Sequence, residues 1–316
     1  MVRALCRVVA RDARSRDGEA ASVGGLAQRP GGAPICAKLA ATPARLEGLS
    51  LRPRIFVAEP FAADSVITLQ GQAARHLQVL RLQPGDLVTL FNGDDGADWP
   101  AEIVRIGRRD VEVRLGAPMP VDRELAFDVT IAVGVPANDR MDALVEKASE
   151  LGAAAIQPLA CERSVVRLSG DRADARRVHW QGVAAAASEQ CGRTRVARVS
   201  PLTPLATWLG SLDEASPASR IVLSFAAAAL DPEAALGAAI APARAGGRAS
   251  APTPLQRDPI VVLSGPEGGL TPAEEDAAVR AGFVQVGLGP RVLRADTAPL
   301  ALLAWLALRA AGGDER

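Results

Sequence analysis

PIVVLSGPEGGLTPAEED, residues 259–276, sets the reading of the chain. A run without charge from Pro259 to Ser264 enters a loop of three glycines, one proline and one glutamate, and a helix is announced directly behind it. Thr271 stands at the N-cap, Pro272 at the first helical position, and Glu274 where its carboxylate reaches back to close a capping box. Gly282 fits the left-handed residue that ends such a helix. Glycines around Pro266 and Glu267 let the backbone come close to a ligand and leave bare N–H and C=O groups facing it. Taken alone, the loop is better read as an ordinary tight strand-to-helix turn.

The next stretch outward changes that balance. LGPRVLRADTAPLALLA, residues 288–304, follows another apolar run and opens on a second Gly-Pro loop. Two consecutive strands that each deliver such a loop at the carboxyl end bring both loops to one rim of the sheet, with Arg291 and Arg294 facing it beside Glu267. Ligands of open parallel sheets bind at that rim. Arg291 also reads as a solvated surface charge, and Asp296 or Thr297 as the N-cap of the last helix. Arg294 is harder to dismiss, because it interrupts an apolar stretch.

Upstream to about Leu125, apolar runs at 128–134, 154–160, 195–200, 220–225, 259–265 and 283–289 alternate with helical stretches at 139–151, 173–191, 232–240, 272–281 and 297–310. Strands without polar alternation, bracketed by helices, predict a mainly parallel sheet covered on both faces. Residues 52–122 differ. Short β-type runs (RIFVA, VITL, DLVTLFN, WPAEIVRI, DVEVRL) separated by turn signals such as Pro84-Gly85-Asp86 and Asn92-Gly93-Asp94 predict a small β-barrel, with one short helix in AARHLQVLRL, residues 73–82. Residues 1–51 carry little periodicity. They read either as a disordered tail or as sequence upstream of a translation start near Leu51, and no function is assigned to them.

Charge narrows the function. Lys+Arg 36 against Asp+Glu 36 gives zero formal charge, so a nucleic acid would have to be met by local arginines rather than by a basic surface. Arg and Ala richness with no Tyr is read as GC-rich genomic background. Cys6, Cys36, Cys161 and Cys191 lie far apart without a CxxC pair, which argues against a disulfide framework or a structural zinc and suits a reducing cytosol. His76 and His179 are the only histidines, so a multi-histidine metal centre is excluded and no metal is expected. The chain lacks GxxxxGK[ST] and a GxSxG elbow. Val292 occupies the third-glycine position of the GxG begun at Gly287, which leaves a dinucleotide site weak. The apolar run from Ala298 to Leu308 is too short to cross a bilayer, and the N-terminus has no continuous apolar core, so a cytoplasmic protein without membrane contact is expected.

At this point the motifs LSGPEGGLTPAEE, LGPRVLRADTAPLALLA, EQCGR (189–193), KASELGA (147–153), PRIFV (53–57) and HLQVLR (76–81) resemble those of the RsmE-type 16S ribosomal RNA (uracil-N3) methyltransferases of the SPOUT superfamily. The resemblance covers residues 52–312. It implies a PUA-like RNA-binding β-barrel over 52–122 and a SPOUT methyltransferase domain over 123–316, an α/β parallel sheet with a C-terminal trefoil knot, an exception to the rule against knotted chains. It further implies a homodimer and methylation of 16S rRNA in the small ribosomal subunit, at the family target uridine 1498. S-adenosyl-L-methionine would be cradled by Leu263, Gly265, Pro266, Glu267, Gly268, Leu288, Gly289, Val292 and Leu293. The catalytic residues would be Arg294, stabilising charge on the uracil, and Asp296, orienting Arg294 or receiving the proton. Arg54, His76 and Arg81 in the barrel, with Arg163 and Arg193 in the catalytic domain, are the expected RNA contacts, although His76 reads equally as a satisfied, half-buried histidine. Two departures stand out. Asp296 replaces the family's usual Glu and reaches one methylene less far. The loop 135–140 lacks a common lysine, whose contact would be lost or moved to Arg140. Two rival readings remain: a non-catalytic RNA-binding module, against which the intact loop glycines argue, and a SPOUT enzyme acting on another RNA position.

Overall fold

Strict alternation builds the first sheet. In β5 (Asp110–Leu115), Val111, Val113 and Leu115 point inward while Glu112 and Arg114 point out, the two-residue period of a half-buried strand. It pairs antiparallel with β2 (Val66–Gln70) and β4 (Ala97–Ile106); β4 pairs with β3 (Leu87–Phe91), and β3 runs parallel to β1 (Arg54–Phe56). The strand order is β1-β3-β4-β5-β2, with the two-residue β6 (Met119–Pro120) on β4. Helix α1 (Gly71–Val79) inserts Ala74 and Leu77 among Ile55, Leu69, Val88, Leu90 and Ile103, and so completes the core of this curved sheet. At the β3–β4 turn, Asp94 and Asp95 donate backbone N–H to Asn92 Oδ1, and the Asp95 carboxylate accepts Trp99 Nε1.

The computed structural model describes residues 52–137, 140–213, 215–216, 218–226, 228–240 and 257–311. The expectations for residues 1–51 and for Asp139 as the start of a helix lie outside them.

The second sheet is parallel throughout, as the unbroken apolar runs predict. It contains β7 (Phe127–Gly134), β8 (Ala155–Ala160), β9 (Arg198–Val199), β10 (Thr203–Pro204), β11 (Ser219–Leu223), β12 (Asp258–Ser264) and β13 (Val284–Val286), in the order β10-β8-β7-β12-β11-β13 with β9 also on β8. The central pair β7–β12 stays in register over seven residues, from Phe127 opposite Asp258 to Val133 opposite Ser264. The helices are α2 (Arg140–Glu150), α3 (Asp171–Cys191), α4 (Leu205–Gly210), α5 (Pro232–Ile240), α6 (Pro272–Arg280) and α7 (Thr297–Ala311).

Three elements depart from the expected pattern. The run at 195–200 contracts to β9, because β9 and β10 share one edge of β8: β9 takes Ala155 and Ile156, and β10 takes Leu159 and Ala160. Pro201, which lacks an N–H, falls in the gap between them, and Pro204 closes β10 at the start of α4. Helix α4 was not anticipated. Its Leu205, Trp208 and Leu209 carry the apolar spacing of a buried helix face, in a segment too short to establish a period. The 283–289 run contracts to β13, and the chain turns away after Val286 toward the rim.

From β13 at one edge, the chain returns to the middle of the sheet, where α7 packs on α2 and β12. Leu302, Leu303 and Leu306 of α7 join Met141, Leu144 and Val145 of α2 in the main core.

Candidate active site

All strands of the parallel sheet end on one rim, and the two Gly-Pro loops meet there. β12 and β13 are not neighbours, since β11 lies between them. The residues after β11 therefore complete the wall. A cavity of about 610 Å³ is lined by Ser264 to Leu270 from the first loop, by Leu288 and Arg291 to Ala295 from the second, and by Leu223, Ser224, Phe225 and Ala226 between them. That volume falls in the range of small-molecule and cofactor sites, roughly 300–1,000 Å³. The residues 223–226 were missed in sequence because RIVLSF reads only as a strand; no spacing rule marks where it leaves the sheet.

The first loop is held from three sides. Gly269 donates its N–H to Pro266 O at 2.8 Å, closing a tight turn. A Cβ on Gly265 would lie 2.7 Å from Leu270 N and 2.9 Å from Gly269 C, so only glycine fits there without moving backbone. Glu267 Oε1 accepts the Ala137 N–H at 2.8 Å and pairs with Arg140 Nη1 at 3.2 Å, which ties the loop to the end of β7 and the start of α2. Behind it, the expected capping box is formed: Thr271 Oγ1 accepts the Glu274 N–H at 3.3 Å and Glu274 Oε2 accepts the Thr271 N–H at 2.8 Å. The second oxygen of Glu274 accepts the Glu162 N–H at 2.8 Å, linking α6 to the segment after β8. Nearby Cys161 is buried. Loss of solvation, and secondarily the charge of Glu274, push its thiol up to about 12, which makes it a packing residue and not a nucleophile.

The second loop presents cations. Arg294 and Arg291 both line the cavity, and neither side chain has a hydrogen-bond or ion-pair partner among the described residues. The Arg294 carbonyl accepts the N–H groups of Thr297 and Ala298, each at 3.0 Å, which starts α7 and fixes the backbone that carries the guanidinium. Asp296 is placed otherwise than expected. It does not line the cavity and makes no hydrogen bond with Arg294, and its Oδ1 is buried without a partner. Nor does it cap α7. The pairing of Asp296 with Arg294 is therefore not formed.

Of the expected cofactor residues, Gly265, Pro266, Glu267, Gly268, Leu288, Val292 and Leu293 line the cavity. Leu263 does not. Its side chain lies inside the core with Ala132 and Phe283, one residue short of the rim. Gly289 also stays out of the lining; at φ +87° it turns the chain behind the wall.

The expected RNA contacts divide more sharply. Arg193 is only 4% exposed: it pairs with Glu124, and its Nη1 donates to the carbonyls of Ser149 (2.7 Å) and Ala153 (2.9 Å). Arg54 is likewise enclosed, with Nη1 on Asp98 Oδ1 at 2.5 Å, Nη2 on Arg193 O at 2.9 Å, and its guanidinium over the Phe91 ring. Neither is placed to meet phosphate: Arg54 bolts the barrel to the Arg193 carbonyl, and Arg193 ties Glu124 to the end of α2 within the catalytic domain. Arg163 is exposed at the rim and has an internal contact as well. Its Nη1 donates to Gly268 O (3.1 Å) and Leu270 O (3.3 Å), so it straps the glycine loop. His76 and Arg81 remain at the surface, with His76 Nδ1 3.4 Å from Glu189 Oε2. Burial outweighs its neighbours and raises the Glu189 carboxyl, even though Glu189 accepts the Phe56 N–H at 2.9 Å.

Among the described residues no cluster of His, Cys, Asp and Glu could hold a metal ion, and no helix is long and apolar enough to cross a membrane.

Known proteins share this arrangement. Residues 123–307 match the RNA methyltransferase domain family, and residues 69–116 match the RNA methyltransferase PUA domain. Ribosomal RNA small subunit methyltransferase E of Bacillus subtilis is 30% identical over 234 residues, 74% of this chain and 86% of its own. The same-named enzyme of Neisseria gonorrhoeae, crystallised with S-adenosyl methionine, superposes with a TM-score of 0.68 at 33% identity, covering 81% of this chain and 96% of that one. A putative methyltransferase of Legionella pneumophila, in complex with the bound cofactor SAM, gives 0.70 at 27% identity over 82% and 98%. A rim cavity walled by two Gly-Pro loops, behind a PUA domain and on a matching parallel sheet, thus places this chain in the ribosomal RNA small subunit methyltransferase E family of RNA methyltransferases.

Proposed function

We propose that this protein transfers the methyl group of S-adenosyl-L-methionine to N3 of a uracil in the 16S rRNA of the small ribosomal subunit. The observation that carries the reading is the 610 Å³ cavity shared by the two glycine loops with Arg294 at its wall. The residues present fit the cofactor. Gly265 and Gly268 leave loop backbone uncovered, and a Cβ on Gly268 would meet Arg163 Cβ at 2.9 Å. Gly265, Pro266, Glu267, Gly268, Leu288, Val292 and Leu293 would hold it. When bound, S-adenosylmethionine supplies an electrophilic methyl group on a sulfonium.

The rest falls to the chain. Uracil N3 is a poor nucleophile while protonated and a good one as the anion, so a cation must stabilise charge on the uracil carbonyl oxygens and the N3 proton must pass to a base or to water. Arg294, whose side chain has no partner among the described residues, is the cation. Asp296 keeps its Oδ1 without a donor but stands outside the cavity lining, so in this reading the proton passes from the site to water. Holding the two reactants in line can contribute roughly 7–11 kcal/mol in favourable cases. Phe225 and Val292 line the cavity and are 74% and 82% exposed, which supports a homodimer in which a second copy closes the site. In this reading residues 52–122 hold RNA through His76 and Arg81, residues 123–316 perform the transfer, and the protein acts in the cytoplasm.

Two experiments test it. Isothermal titration with S-adenosylmethionine must show stoichiometric binding, and mass spectrometry of 16S rRNA incubated with protein and cofactor must show one N3-methyluridine. Absence of either overturns the reading; a methyl group on ribose or on another base favours a related SPOUT activity.

Two loop variants follow from the geometry. Gly265→Ala forces backbone to move and is expected to weaken S-adenosylmethionine at least about tenfold, with a stability loss of roughly 1–3 kcal/mol from overpacking. Calorimetric titration and urea unfolding read the two effects separately. Arg163→Ala removes the strap from Gly268 and Leu270. It is expected to raise the cofactor KM about tenfold with kcat little changed and no change in the salt dependence of RNA binding. A shallower salt slope would return Arg163 to the RNA interface.

A further inference from the structure

A second cavity, about 470 Å³, lies where the barrel meets α3. Its walls come from the end of β1, from β2 and α1, and from Ala185, Ala186 and Glu189 of α3. Three features limit what it can hold. Thr68, Gln70 and Gln72 line it, exposed, and their side chains make no hydrogen bond among the described residues, so a hydroxyl and two amides are left for water or a ligand. No Arg or Lys lines it, while Glu59 and Glu189 do, which excludes phosphate. Those carboxylates and His76 do not assemble into a metal-binding group. What remains is a neutral, flat group rich in hydrogen-bonding edges, with Phe56 among the lining residues.

We infer that this seam cavity takes one nucleobase of the RNA substrate, an adenine, cytosine or guanine that lies apart from the target uracil. Glu189 Oε1 is engaged by the Phe56 N–H, while Oε2 lies 3.4 Å from His76 Nδ1 and within the field of Arg54. A carboxylate oxygen there accepts from an exocyclic amino group, which uracil lacks. Gln70 and Gln72 read the remaining edge, and the base packs on Phe56 in the sequence-tolerant manner of aromatic platforms. Because the cavity is walled by both domains, an RNA seated in it spans barrel and catalytic sheet and sets the distance from its base to the methyl-transfer rim. The inference rests on the RNA-methyltransferase reading above.

The test uses the full chain and 16S rRNA. Ala186→Trp fills the cavity from an exposed helix position, and the pair Gln70→Ala and Gln72→Ala removes the unpartnered amides without breaking an internal bond. Each is expected to weaken 16S rRNA binding about tenfold, with the slope of log K against log salt unchanged because no phosphate contact is lost. S-adenosylmethionine affinity should not move. In saturation-transfer NMR, adenosine, cytidine or guanosine should receive saturation from the wild type more strongly than uridine does, and lose it in Ala186→Trp. Unchanged RNA affinity in both variants, a shallower salt slope, or equal response of all four nucleosides overturns the inference while leaving the proposed function intact. A wild type that binds neither the RNA nor S-adenosylmethionine overturns both together.

Discussion

Replacing Arg294 with alanine is expected to lower turnover about a thousandfold while S-adenosylmethionine still binds with near wild-type affinity. The guanidinium lines the cavity and makes no internal ion pair or hydrogen bond among the described residues, so its removal leaves no buried group stranded and the fold should stand. Its backbone, by contrast, is anchored through the Thr297 and Ala298 N–H groups, which gives the side chain a defined origin. A preorganised donor aimed at developing charge contributes roughly 10²–10³ in rate. Single-turnover kinetics on 16S rRNA, beside cofactor titration, provides the measurement. Equal losses in turnover and cofactor affinity would make Arg294 a cofactor ligand. Retained turnover would remove it from the chemistry.

The second large effect concerns stability. Arg193→Ala is expected to cost about 3–5 kcal/mol, the range for breaking a buried ion pair by removing one partner. Arg193 and Glu124 are 4% and 5% exposed, so the variant leaves a buried carboxylate without its cation. It also deprives the Ser149 and Ala153 carbonyls of their donor. The Arg193 carbonyl receives Arg54, and Gly192 O accepts Arg123 Nη1 at 2.6 Å, so damage should extend to the seam with the barrel. Urea unfolding gives the loss. Where the variant remains folded, its RNA salt slope should match the wild type, whereas a true phosphate contact would lower that slope by about one.

Legibility in the sequence followed the range of the interaction. The capping box of α6 was legible because all its partners lie within four residues of one another. The strands β5 and β12 were legible because alternation and its absence are local consequences of one buried face or two. Helix α5 agrees with its expected span, 232–240, for a similar reason: Pro232 at the start is a local signal. The arginines show the opposite. Arg54, Arg163 and Arg193 read alike in sequence, as cations near informative motifs. Their acceptors lie 44–139, 105–107 and 40–69 residues away, and no local pattern reports such distances.

By itself, then, the sequence determined the order of a small β-sheet and a parallel α/β sheet, the two glycine loops and their common rim, since each depends on periodicity, capping and the backbone freedom of glycine within a few residues. Only the tertiary structure decided that β11 separates the two loops and lends residues 223–226 to the wall. It also decided that Arg294 has no partner among the described residues while Arg54 and Arg193 are locked inside, and that Asp296 forms no bond with its expected partner. These outcomes turn on which side chains lose their water when distant segments meet, and that is a property of the packed chain.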